Sequence, residues 1–245
     1  MKSVFITGAS SGIGESLAYY FAKEGAIVGI AARRKNRLKK VAEKIKKYGG
    51  TSIIFQLDVS NEEATKQAID KFLNETKKID IVIANAGVGG TDKLSSGDAK
   101  TINKILAINI LGITNTIIPF IPIMKEQKSG RICIISSVAG TRGLIGHGGY
   151  AASKAAIRVL GDSWDYSLKR HNIATIVIFP GWIATEMTAK NKYKMFFLMD
   201  SDTAAKKIAI AIKNKKRKYI LPWQWKIIVP IFRIIPRWFI KFFSL

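Results

Sequence analysis

At 245 residues and 48% hydrophobic, the chain has the material for one α/β domain that buries its core without staples. Its one cysteine, Cys133, excludes an intramolecular disulfide and a CxxC metal or redox site, and fits a reducing compartment. Forty Lys/Arg against 17 Asp/Glu give a net charge of +23, which suits an anionic partner (nucleic acid, membrane or an anionic cofactor) or a plain lysine-rich surface.

In chain order, Lys2–Thr7 predicts a short apolar strand that runs into a glycine-rich turn, Gly8–Gly14. The opening run is too short for a secretory signal, and no uncharged apolar run is expected to reach the roughly 18 residues of a spanning helix. Glu15–Glu24 carries Leu17, Ala18, Phe21 and Ala22 at helical spacing, and Gly25 stops it. Ala26–Ala32 reads as a buried strand and Asn36–Tyr48 as a helix with lysines outward. Thr51–Leu57 is a third strand, and a capped helix starts near Ser60 or Asn61. Lys78–Ala84 is the fourth strand. A long helical region covers about Asp98–Gln127, kinked near its end by Pro119 and Pro122. Strand Gly130–Ile135, helix Gly149–Arg170, strand Asn172–Phe179, helix 201–213 and a short strand Arg217–Leu221 complete the alternation. Such alternation implies right-handed crossovers and a parallel sheet covered on both faces: an α/β, doubly wound, three-layer fold.

In such a sheet ligands bind at the carboxyl ends of the strands. The polar and glycine clusters all fall there: Gly8–Gly14, Arg33 and Arg34, Asp58, Asn85–Gly87, Ser136 and Ser137, and Pro180 with Gly181. The glycines at 8, 12 and 14 allow a tight turn and a close approach of backbone to a pyrophosphate at a helix N-terminus. No acid stands at the end of the second strand to bond a ribose hydroxyl. Arg33 and Arg34 stand there instead and suit a 2′-phosphate, so NADP(H) is favoured over NAD(H). Tyr150 and Lys154 lie one helical turn apart on the same face, downstream of Ser137. Tyr150 can supply a proton to a carbonyl receiving hydride. Lys154 can tune it, and Ser137 can donate to the carbonyl oxygen.

Over residues 1–220 the chain resembles the short-chain dehydrogenase/reductase family. The resemblance is carried by Thr7–Gly14, Asp58, Asn85–Gly87, Asn109, Ser137, Tyr150 with Lys154, and Pro180 with Gly181. It implies a Rossmann-type, mainly parallel seven-stranded sheet and a tetrad of Asn109, Ser137, Tyr150 and Lys154, with Asn109 holding a relay water. Cofactor contacts are implied for Gly8, Ser10, Ser11, Gly12, Ile13 and Gly14, for Asp58 and Val59 near the adenine, and for Asn85, Ala86 and Gly87. They are also implied for Tyr150, Lys154, Pro180, Gly181, Ile183 and Thr185, the last near the nicotinamide carboxamide. Relatives often pair through the helices at 98–127 and 149–170, so a homodimer or homotetramer is expected. The substrate walls are expected from 141–149, including His147, and from Met187, Tyr193, Met195, Phe196, Phe197 and Met199, which suit an apolar carbonyl or alcohol.

The domain is read as 1–221 and the remainder, 222–245, as an amphipathic extension. Residues 203–245 hold eleven Lys/Arg and no Asp/Glu. Lys226, Arg233, Arg237 and Lys241 form one basic stripe among Ile, Phe and Trp, broken by Pro222, Pro230 and Pro236. This suits short helices lying on an anionic membrane, in a cytoplasmic protein attached to its inner face. An oligomer interface or a pocket flap is the other reading, and nucleic acid is disfavoured because the stripe is too apolar. The functional reading is an NADP(H)-dependent reductase of an apolar ketone, set against a non-catalytic adaptor or nucleotide sensor that keeps only the fold.

Overall fold

The structure is a computed structural model, and it describes residues 1–189, 191 and 194–236. Seven strands form one sheet: β1 (Ser3–Thr7), β2 (Ile27–Ala32), β3 (Thr51–Gln56), β4 (Ile81–Ala84), β5 (Gly130–Ile135), β6 (Ile173–Pro180) and β7 (Lys218–Leu221). Their order is β3-β2-β1-β4-β5-β6-β7, and every pairing is parallel. The order reverses beside β1, which pairs with β2 on one side and β4 on the other. That reversal opens the crevice in which a doubly wound sheet binds ligands.

The strand pleat divides the core. Val4 and Ile6 pack on one face, against α1 (Gly12–Lys23), α2 (Lys35–Lys47) and α8 (Ser201–Lys213). Phe5 points to the other face, where its ring lies 5.5, 5.3 and 5.3 Å from those of Phe55, Phe72 and Phe120. That face is covered by α3 (Glu62–Thr76), by α4 (Lys100–Leu106), α5 (Gly112–Ile117) and α6 (Ile121–Glu126), and by α7 (Gly148–Leu168). Burial on both faces explains why the strands read as unbroken apolar runs.

Element boundaries differ from expectation for local reasons. Helix α1 starts at Gly12, because the turn feeds directly into it. Strand β4 is shorter than 78–84, although the Asp80 backbone just before it still bonds Ser3 and Arg131, each at 3.0 Å. Asn61 caps α3, accepting from the Ala64 amide at 2.9 Å. Pro119 sits in a 3-10 turn and Pro122 in the first turn of α6, which breaks the long helical stretch where the prolines predict.

One expectation is corrected. The stretch Lys100–Glu126 is long and apolar enough to cross a membrane by length and composition, with 44% of its most apolar window buried. Asn103, Asn109, Asn115 and several threonines hide it from a reading by uninterrupted apolar runs. Ile105, Ile113, Ile117 and Phe120 from this stretch are buried in the domain.

The described part of the extension forms α9 (Trp225–Ile234), continuous through Pro230. It packs onto the domain at two places. The Trp225 indole lies so close to Gly181 that a Cβ there would meet Nε1 at 2.1 Å. Arg142 donates from Nη1 to the carbonyls of Phe232 (2.8 Å) and Ile235, among the last carbonyls of the helix. Arg237, Trp238, Lys241 and Tyr193 lie outside the described residues.

Candidate active site

The glycine turn is built for close approach. Gly8 and Gly12 have φ of +68° and +58°, which favour glycine. A Cβ at Gly14 would stand 2.4 Å from the Gly8 carbonyl oxygen. The N-cap residue of α1, Ser11, makes no side-chain capping bond, so the helix presents unsatisfied amides at the crevice. A dinucleotide pyrophosphate suits this turn by charge, through the uncapped amides at the start of α1. Asn85 braces the turn, donating from Nδ2 to the carbonyls of Thr7 (3.0 Å) and Gly8 (3.2 Å). Thr7 Oγ1 in return accepts the amides of Asn85 and Ala86 at 3.2 and 3.3 Å.

Asp58 follows β3. Burial opposes its charge, but bonds from the Ser60 amide and hydroxyl, with Arg33 nearby, hold its carboxyl below the usual range. Arg33 Nη1 lies 3.8 Å from Asp58 Oδ2. Val59 is packed against Gly112, and its carbonyl accepts from Asn115 at 2.9 Å. Arg34 lies across the glycine turn. It donates to Ser10 Oγ (3.1 Å) and Ser11 Oγ (2.8 Å) and pairs with Glu186 Oε2 at 2.6 Å. An acid therefore does reach the end of β2. It arrives from far down the chain, where no reading of the residues next to Arg34 could find it.

Three tetrad residues meet at the ends of β5 and α7. Ser137 Oγ accepts the Ala139 amide at 3.1 Å and donates to the Pro180 carbonyl oxygen at 3.4 Å, and its hydroxyl neighbours Tyr150. Lys154 is 4% exposed, so its charge is held in a low-dielectric corner. Its Nζ donates to the Ile135 carbonyl at 2.9 Å and lies 5.7 Å from the Tyr150 ring centroid. Burial pushes Lys154 down to about 8. Burial raises the Tyr150 phenol above its ordinary value, and the neighbouring Ser137 hydroxyl pulls the other way. In the chain alone, desolvation is the first influence on both Tyr150 and Lys154.

Asn109 lies in a π-helical turn, Ala107–Leu111, between α4 and α5. Such turns often mark functional sites. Its amide is fully buried and engaged by protein. Oδ1 accepts the Val88 amide at 2.8 Å, and Nδ2 donates to the Val88 carbonyl and Ser153 Oγ, both at 3.0 Å. The side chain thus positions the strand-four loop and α7. A Cβ at Gly87 would sit 3.3 Å from Asn109 Oδ1 and 3.5 Å from Lys154 Nζ, so the Gly87 backbone packs closely between them.

Several positioning groups escaped the sequence reading. Asp92 accepts the amides of Gly148 and Gly149 (the latter at 3.2 Å), anchoring the N-terminus of the helix that carries Tyr150. His147 bonds the Gly90 carbonyl through Nδ1 at 2.9 Å, which makes it a brace of the same loop. Thr188 Oγ1 accepts the Thr185 amide at 3.0 Å and donates to the Ile183 carbonyl at 2.6 Å, fixing the loop after β6. On that loop Met187, Phe196 and Phe197 are exposed. Met199 instead pairs with Ile183 and packs on the core, so it is not a free wall residue.

A family model described as short chain dehydrogenase matches residues 2–195. This chain is a member of the short-chain dehydrogenase/reductase family. It is 33% identical, over 96% of its length and 93% of the other's, to an uncharacterized oxidoreductase of Myxococcus xanthus. It is 36% identical to 11-beta-hydroxysteroid dehydrogenase-like 2 of Arabidopsis thaliana, over 91% of this chain and 74% of that protein. Among solved structures it resembles an alcohol dehydrogenase of the archaeon Thermococcus sibiricus complexed with 5-hydroxy-NADP. That likeness has TM-score 0.81 and 27% identity, covering 90% of this chain and 96% of that one. As a short-chain dehydrogenase/reductase it is an NAD(P)-dependent oxidoreductase, and the adaptor reading falls away.

Proposed function

We propose that this dehydrogenase/reductase uses NADP(H) to reduce an apolar ketone, working at the cytoplasmic face of a membrane. The observation that carries the catalytic reading is the corner of Ser137, Tyr150 and Lys154, with Lys154 buried and the two hydroxyls partly accessible, beside an uncapped glycine turn. The bound nicotinamide supplies the hydride. The chain's own residues do the rest. The Ser137 hydroxyl donates to the carbonyl oxygen as negative charge develops there. Tyr150, kept as the phenol by burial, gives its proton to that oxygen. Lys154, with a pKa of about 8, is largely a cation near neutral pH and offsets the tyrosinate left behind. Asn109 belongs to the relay that restores the proton in this reading, its Oδ1 and the Lys154 Nζ both lying against Gly87.

Arg33 and Arg34 support the NADP(H) reading, since guanidinium suits a 2′-phosphate; NAD(H) is the alternative. Exposed Met187, Phe196 and Phe197, with the approach of α9, support an apolar substrate. Ile227, Ile231 and Ile234 are 58, 52 and 81% exposed and recur one turn apart on α9. In a segment as basic as 203–245 such a face suits an anionic bilayer. Leu111 and Ile118 on the α4–α6 stretch, and Val159 and Tyr166 on α7, are exposed apolar groups that suit a homodimer or tetramer.

The test is NADPH oxidation by the full chain over a panel of aliphatic, acyl and steroid ketones, alongside short hydrophilic ones. The reading expects turnover concentrated on the apolar members. Turnover only with hydrophilic ketones would overturn the substrate class. Co-sedimentation with anionic vesicles, with and without residues 222–245, tests the membrane; equal binding by both forms would overturn it.

A further inference from the structure

Glu186 sits where an incoming anion would go. Its carboxylate is gripped by Arg34 Nη1 at 2.6 Å and Arg37 Nη2 at 3.1 Å, while Arg34 Nη2 also donates to Ser11 Oγ of the glycine turn at 2.8 Å. The Arg34 bond holds its carboxyl below the usual range, so it is ionised at neutral pH. Three groups converge here from three elements: the glycine turn, the end of β2 and the first turn of α2. Together they form an anion site, and the chain fills it with its own anion. The same loop presses on the glycine turn one residue earlier. Thr185 Cγ2 would stand 2.7 Å from a Cβ at Gly12.

We propose that Glu186 is a built-in competitor for the 2′-phosphate of the cofactor, which must displace it from Arg34 and Arg37 to bind. The proposal rests on the reading of Arg34 as the 2′-phosphate ligand. A phosphate monoester carries nearly twice the charge of a carboxylate and more acceptor oxygens, so it wins the exchange, at a reduced net gain. A ribose hydroxyl carries no charge and leaves the ion pairs in place. Glu186 thus weakens NADPH binding selectively and narrows the difference between the two cofactors. Displacement also frees the loop that bears Met187 from its hold on α2, so cofactor charge is felt at the substrate wall.

The experiment is to titrate wild type and Glu186→Gln with NADPH and with NADH by calorimetry, at fixed low ionic strength. Gln keeps the shape and removes the charge. The expected result is a fall of about three- to tenfold in the NADPH Kd, the range of two partly exposed ion pairs, with NADH unchanged within about twofold. Unchanged NADPH affinity, or equal changes for both cofactors, overturns the proposal. The wild-type ratio of the two Kd values separately judges the NADP(H) reading. A wild type that prefers NADH, with a variant that gains NADPH affinity alone, would sink that preference and uphold the role of Glu186.

Discussion

The corner of Ser137, Tyr150 and Lys154 and the loop after β6 with α9 are built by opposite rules. At the corner, Asn109, Ser153 and Lys154 are buried, and the polar atoms that hold the site together are matched to protein partners. On the loop after β6 and on the outer face of α9, Met187, Phe196, Phe197, Ile227, Ile231 and Ile234 are exposed apolar groups. A reaction shared by many substrates needs fixed donors at fixed distances, and a low-dielectric corner strengthens them. Substrate choice in general needs shape and apolar area, which loops can supply without disturbing such a corner.

The sharpest way to break this comparison is Tyr150→Phe. It should lower turnover by about 10²- to 10⁴-fold, the usual worth of general acid catalysis, while leaving NADPH affinity within about twofold. Near-normal turnover in a steady-state assay would remove Tyr150 from the mechanism.

Next comes pH. Lys154 is charged below its pKa of about 8 and neutral above it. Reductive turnover should therefore hold steady from pH 6 to about 8 and then fall, approaching tenfold per unit, as the cation that offsets the tyrosinate is lost. A reductive profile that stays flat to pH 10 would show that the Lys154 charge does not matter.

A smaller effect sharpens the boundary between the two regions. Gly181→Ala would drive a methyl into the Trp225 indole. The expected cost is about 1–3 kcal/mol in urea unfolding, as for other overpacked sites. In a Trp225→Ala background the same change should cost little, so the double-mutant cycle reads the contact directly. Additive losses would mean that α9 does not lean on Gly181.

The smallest effect concerns the latch. Arg142→Ala removes the donor to the Phe232 and Ile235 carbonyls, worth about 1 kcal/mol or less where partly exposed. The KM for an apolar ketone should rise a few-fold with NADPH affinity unchanged. An unchanged KM would separate α9 from substrate recognition.

The fold was legible because its signals are local. Apolar runs of strand length, the glycines at 8, 12 and 14, the Asn61 cap and the two prolines each act within a few residues. The spacing of Tyr150 and Lys154 on one helix face likewise needs no tertiary knowledge. Tuning was less legible. The sequence shows that Lys154 can reach Tyr150, but burial decides which way each titrates, and burial belongs to the packed corner. Asn109 was legible as a site residue. That its amide is engaged by Val88 and Ser153 depends on a π-turn with no plain residue signature.

By itself, then, the sequence determined the parallel sheet and the glycine turn after its first strand, because periodicity and short-range chemistry suffice for them, and it put Tyr150 and Lys154 on one helix face. Only the tertiary structure decided what surrounds the two arginines after β2. Residue 34 and residue 186 are far apart in the chain, and no local pattern foretells that Glu186 will be carried back to Arg34. It likewise placed Trp225 against Gly181 and the carbonyls of α9 on Arg142, contacts made by two chain segments folding onto one rim of the sheet.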